Sequence, residues 1–209
     1  MVQAARRLAP AFVIAAAAGT ALGAPILYNS QSRTIMTEAE LFMVGMEDSW
    51  VNAPDNSPFV TFVTSQVVDG PASALAISTQ ASFLGNTSIV ASGSATGIVS
   101  GDGNAVANSM FDVVFEITQA SLFSVSVSIA KASYLIEGPS LNKSTADGSF
   151  SEQLVLQPGI YRVAFDSPIQ GVRNRPGASS WAFSLIEIPS PGSTALMGIA
   201  GYFAARRRR

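Results

Sequence analysis

The sequence predicts an all-β protein: an antiparallel β-sandwich, jelly-roll-like, flanked by an N-terminal signal helix and a short C-terminal membrane helix. Three observations carry this. Apolar and polar residues alternate with a period of two across the middle of the chain, as in Phe111, Val113, Phe115 and Ile117 around Asp112, Val114 and Glu116. That period belongs to a strand with one wet face. Clusters of Gly, Pro, Asn and Asp punctuate these runs, as turns do. No convincing amphipathic helix stands between residues 25 and 188, although Met36–Gly45 can also be read as helical.

The N-terminus is a targeting segment. Arg6 and Arg7 form a basic start, and Leu8 to Leu22 is an apolar, alanine-rich run. Ala21 and Gly23 put small residues at the two positions that a signal peptidase reads, so cleavage is expected between Gly23 and Ala24. Residues 1–23 are therefore the expected signal peptide. The residues flanking Arg6-Arg7 match the twin-arginine pattern poorly, which favours the general secretory route. The run is short for a permanent span.

Residues 24–187 form the expected body. Strands are predicted at Thr34–Val44, Phe59–Val68, Leu75–Phe83, Ser88–Ser92, Ala95–Val99, Phe111–Ile117, Phe123–Ile129, Tyr161–Phe165 and Trp181–Leu185. The turn signals between them are Asp69-Gly70-Pro71, Gly85-Asn86, Gly101-Asp102-Gly103-Asn104, Glu137-Gly138-Pro139, Asp147-Gly148 and Gln157-Pro158-Gly159. About nine or ten strands suit a single sandwich. The small side chains of Ala81–Asn108 suggest flat strands or a partly mobile hairpin. No linker interrupts the alternation, so no second domain is expected.

Residues 188–209 make the last segment. Pro189 and Pro191 bracket Ser190, and Gly192 follows. Two prolines remove two backbone donors and keep this piece extended. Ser193 to Ala205 is uncharged and would make about 20 Å of helix, against a bilayer core of about 30 Å. Arg206, Arg207, Arg208 and Arg209 close the chain, and a basic cluster beside an apolar run marks a cytoplasmic membrane boundary. By the same rule Arg6 and Arg7 stay cytoplasmic, so both ends agree that the body is carried across.

The order Pro-x-Pro, short apolar helix and terminal arginine cluster resembles the PEP-CTERM sorting signal. The family pattern is Pro-Glu-Pro. Pro189-Ser190-Pro191-Gly192 is similar to a variant with a small middle residue, and lacks the glutamate. The resemblance covers about a tenth of the chain. It implies processing by an exosortase, a membrane-embedded cysteine transpeptidase-like enzyme. It also implies a membrane-tethered precursor, a final place at the cell surface or in an extracellular matrix, and association with exopolysaccharide systems. It implies nothing about the body.

Charge is segregated. Arg6, Arg7 and Arg206 to Arg209 lie in the ends, which leaves six basic residues against 14 acids and a net charge of −8 on the body. The acidic body argues against nucleic acid as a partner, because its phosphates need Lys and Arg. There is no cysteine and no histidine, so a thiol nucleophile, an imidazole base and their metal sites are absent. A Ser-Lys pair would need Lys131 or Lys143 desolvated, but both sit in polar sequence. Glu38, Glu40, Glu47 and Asp48 could supply a carboxylate pair. Surface acids are the expected reading. Asp102-Gly103-Asn104 opens like a calcium loop but lacks the later ligands, so a hairpin turn is expected. Arg173-Asn174-Arg175-Pro176-Gly177 reads as a loop whose two charges serve solubility rather than anion binding. Tyr161 and Trp181 fall on inward faces. Trp50, beside Glu47 and Asp48, is the one aromatic in a loop-like context and the candidate ligand contact.

The expectation is an exported, non-enzymatic β-sandwich without cofactor or metal. Its partners are a signal peptidase, an exosortase-type enzyme, the membrane during transit, and extracellular polysaccharide or other copies. A carbohydrate-binding module is the alternative reading, and a glycoside hydrolase the third.

Overall fold

The computed structural model describes residues 26–189. They form thirteen strands and one short 3-10 turn. β1 (Ile26–Leu41) and β2 (Gly45–Asn52) make a hairpin, and β3 (Phe59–Asp69), β4 (Ala72–Leu84) and β5 (Ser88–Ser100) make a meander. There follow β6 (Gly103–Ile117), β7 (Ser121–Ala130), β8 (Ser133–Glu137) and β9 (Lys143–Ser144). After the 3-10 turn (Thr145–Asp147) come β10 (Phe150–Leu156), β11 (Gly159–Asp166), β12 (Ile169–Val172) and β13 (Gly177–Glu187). The first sheet has the order β2-β1-β6-β11-β8-β9, with β12 also on β6; the second has the order β10-β7-β13-β5-β4-β3. Every pairing is antiparallel. The described residues are all-β, as the alternation predicts, and the two sheets pack as a sandwich.

The strand count exceeds the expected nine or ten because β2, β8, β9, β10 and β12 are too short, too exposed or too irregular to show alternation. Ser88–Ser92 and Ala95–Val99 are one strand, β5. Gly93 between them continues the ladder opposite Trp181. Met36–Gly45 is strand as far as Leu41, then a turn in which Met43 has φ 66°. Pairing with β2 on one side and β6 on the other overrides any helical tendency there. Ala81–Asn108 runs through β4, β5 and β6.

The interior has two unlike ends. One is aromatic: Phe111, Phe115, Phe123, Phe165, Phe183, Tyr134, Tyr161 and Trp181 are all buried. Phe165 stacks on Trp181 at 4.9 Å between centroids and on Tyr134 at 5.6 Å. The other end is built of Ala39, Ala74, Ala76, Ala95, Ala105 and Ala107 with Leu41 and Val99. Such small side chains let the sheets approach until backbone meets backbone. A Cβ on Gly97 would strike the carbonyl of Ala105 and lie 2.8 Å from the amide nitrogen of Gly171.

Between the two ends runs a belt of buried hydroxyls, for a topological reason. β6 pairs with β12 up to Ala107 and with β11 from Met110. At this handover Ser109 O accepts the Ser167 amide at 3.3 Å, Asn108 stays in register with Met36 of β1, and both buried carbonyls take side-chain donors as well. Ser78 Oγ donates to Asn108 O at 2.6 Å, while Ser167 Oγ and Trp181 Nε1 donate to Ser109 O at 3.3 and 3.1 Å. Buried carbonyls need such donors, and the inward serines supply them.

Both ends of the body leave beside the β4–β5 turn. The Ile26 amide donates to Asn86 O at 2.7 Å, and the Glu187 amide donates to Thr87 O at 2.9 Å. Near this turn Tyr28 donates its hydroxyl to Gly85 O at 2.7 Å. Burial raises the Tyr28 pKa above its ordinary 10.0, against a smaller opposing pull from Arg33. A raised folded pKa means the contribution is whole below the unfolded value and is lost as pH climbs above it. Stability should therefore fall from about pH 10 upward. Tyr28→Phe should flatten that fall in urea melts at pH 9 to 11; an unchanged slope would show that this phenol does not carry it.

Candidate functional site

The outer faces of the two sheets differ in charge. Strand parity puts Glu38, Glu40, Asp48, Asp112, Glu116, Glu137 and Asp166 on the outer face of the first sheet, with Arg162 as the counter-charge. Arg162 donates to both Asp112 oxygens, at 3.0 and 2.7 Å, and those hydrogen bonds raise its pKa. The second sheet is the opposite. Its outward positions on β3, β4, β5, β13, β7 and β10 carry no Asp, Glu, Lys or Arg. Val60, Ala81, Ser92, Ala182 and Ser128 line up across five strands by direct cross-strand pairing. This row forms part of a shallow groove of about 540 Å³, whose other lining residues include Pro58, Phe83, Val90, Ser126 and Ser184.

No protein-family model, curated protein or solved structure matches the chain.

The positions singled out in the sequence fall as follows. Trp50 lies on β2, a strand and not a loop, and is 67% exposed. It sits opposite Met36, between the pairs Thr34–Asn52 and Glu38–Asp48. Phe62 and Phe83 are also exposed but belong to the second sheet's outer face, and exposed Phe42 lies in the β1–β2 turn, eight residues from Trp50, so none of the three is a cross-strand neighbour of Trp50. Tyr161 and Trp181 are buried, as their parity predicts. Pro189 is exposed just past β13. Ser190, Pro191, Gly192, Arg206, Arg207, Arg208, Arg209, Gly23 and Ala24 lie outside the described residues.

The possible chemistry is thin. Glu38 and Asp48 stand directly opposite each other on β1 and β2, with Glu40 two residues along the same outer sheet face, while Glu47 accepts a hydrogen bond from the Gln66 amide at 3.1 Å. Asp112 and Asp166 share a concavity of about 350 Å³, a pair that sequence reasoning missed because the acids lie on different strands. Arg162 already holds Asp112, which leaves no free carboxylate pair there. Asp102 and Asn104 flank the β5–β6 corner. Asp102 pairs with Arg173 at 3.1 Å and Asn104 accepts from Gln170 at 3.0 Å, so both oxygens are engaged. Among the described residues no three acids cluster as metal ligands. Lys143 pairs with Glu152 at 3.2 Å and lies over Phe150, and Lys131 is exposed in a turn at φ 55°.

Arg33 escaped the sequence reading and is 1% exposed. The signal was present: it shares inward parity with Ile35, Thr37 and Ala39. Its guanidinium donates to Gln31 Oε1 at 2.8 Å, Ser82 Oγ at 2.9 Å, Ser57 O at 3.0 Å and Asp55 O, and lies over the Phe59 ring. Burial lowers its pKa, opposed by Asp55. Buried charge persists only when its donors are used in this way. Its work is to fasten residues 53–58 so that Phe59 enters β3 correctly.

Proposed function

We propose that this chain is an exported, non-enzymatic structural component of a cell surface or extracellular matrix. The observation that carries the reading is the six-stranded, charge-free outer face on an otherwise acidic body. Water-facing sheet surfaces ordinarily carry charge, and a large neutral one marks a contact surface. The resemblance of the tail to a PEP-CTERM signal supplies the address. In this reading signal peptidase removes residues 1–23, and the tail tethers the precursor until an exosortase-type enzyme cuts near Pro189-Ser190-Pro191-Gly192. Pro189 follows the last strand closely, so a cut there severs no ladder. The alternation of β6, β7, β8, β10, β11 and β13 between sheets supports a jelly-roll-like reading of the sandwich.

A carbohydrate-binding module is the second reading, favoured by the serine-lined groove with Phe83 among its lining residues. It predicts saturable binding of a neutral polysaccharide that Phe83→Ala weakens and Trp50→Ala does not.

The test of the first reading is the mass of the mature protein in its native host. The expected form begins at Ala24 and lacks Arg206 to Arg209. Replacing Pro189 and Pro191 with alanine should leave the tail attached. A mature chain that retains Met1 or the four arginines would overturn the reading.

A further inference from the structure

We propose that β3 pairs edge to edge with β3 of a second copy, antiparallel about a two-fold axis at Phe62, joining two second sheets into one of twelve strands. This rests on the structural-component reading above and names its partner. The four sheet edges are not alike. β2 carries Glu47 and Asp48, β9 is two residues long, and β10 carries Glu152 paired with Lys143. Charges and short strands of this kind keep edges from pairing. β3 runs for eleven residues with no charge before Asp69 and no proline. Its outward Val60 and Phe62 are 79% and 69% exposed.

The backbone direction selects the register. The Gln66 amide reaches Glu47 of β2 rather than β4, so residue 66 turns its backbone polar groups to the open edge. With a period of two, Val60, Phe62 and Thr64 do the same. A two-fold axis at Phe62 sets Val60 against Thr64 of the second copy and Phe62 against itself, giving six main-chain hydrogen bonds. It also avoids the one guarded position. The two Glu47–Gln66 contacts fall four residues to either side of the axis, about 26 Å apart at roughly 3.3 Å per residue. That exceeds the Debye length of about 8 Å at physiological salt. Acidic copies repel elsewhere on their surfaces, and this edge lets them meet without opposing charge. An edge contact alone is smaller than a standard stable interface, so the affinity expected is micromolar.

The chain contains no cysteine, which makes the test direct. In the full chain with Phe62→Cys, mild oxidation should give a disulfide-linked dimer, because directly opposed hydrogen-bonded residues lie about 5.5 Å apart between Cα atoms. Ser128→Cys on β7 and Ile160→Cys on β11, each exposed on a strand that does not pair with β3, should stay monomeric under the same oxidation. Phe62→Lys should weaken self-association at least tenfold in sedimentation while circular dichroism stays unchanged. No dimer from Phe62→Cys, equal cross-linking at all three positions, or unaltered association of Phe62→Lys would each overturn the proposal. Those outcomes leave the export and processing result untouched, so the two readings fail separately.

Discussion

Gly97→Val should cost about 4 kcal/mol or more, at the severe end for one substitution. The reason is the alanine end of the interior. There the backbone of β5 lies directly on that of β6 and β12, and a Cβ at position 97 meets the Ala105 carbonyl and the Gly171 amide. Neither obstacle is the end of a flexible side chain, so the sheets must part. Parting opens gaps around Ala95, Ala105 and Ala107, whose methyl groups are too short to follow. Typical domain stability is about 5–15 kcal/mol, so a large share is lost. Urea melts of the purified protein should show the midpoint collapse. Gly45→Val is the control: nothing lies within 4 Å of a Cβ there, and its cost should stay within about 0.5 kcal/mol. Equal midpoints for the two variants would show that the sheets are not in backbone contact.

Trp181→Ala should cost about 3–5 kcal/mol, the range for emptying a buried aromatic site. Trp181 packs on Phe165 and Phe111, and its indole N–H serves the Ser109 carbonyl at the β11–β12 handover. Removing it leaves a void and a less well satisfied buried carbonyl together. The hole cannot be filled from β5, because the directly opposed residue is Gly93, where even a Cβ would strike the indole. Trp181→Phe should recover part of the packing but not the hydrogen bond, and should fall between wild type and alanine. Trp50 is the one other tryptophan and is exposed, so the variant's emission should be that of a solvated indole. A melt within 1 kcal/mol of wild type would sink this account of the core.

How much of this was legible depended on whether the information was local. Alternation in β6, β7, β11 and β13 could be read because each strand pairs on both edges and buries one face, which imposes the period of two on its own residues. The inward placement of Tyr161 and Trp181 followed from that period. Turn positions such as Asp69-Gly70-Pro71 were legible because Gly and Pro restrict the chain where they stand. β8, β9 and β12 were not, since a strand of two to five residues is held by its neighbours and needs little pattern. Trp50 was misplaced in a loop for a related reason: β2 is an edge strand with few buried positions to reveal its period.

By itself the amino-acid sequence determined the all-β class, the parity of the long strands and the acidic balance of the body, because each is written in consecutive residues. Only the tertiary structure decided that Arg33 is buried against the loop before β3, that Asp112 belongs to Arg162, and that acids gather on the outer face of one sheet while the outer face of the other carries no charge. It also decided that β3 is left as an edge strand, guarded where Glu47 takes the Gln66 amide. These depend on which distant strands become neighbours, and main-chain hydrogen bonding between strands carries no residue code from which that choice could be read.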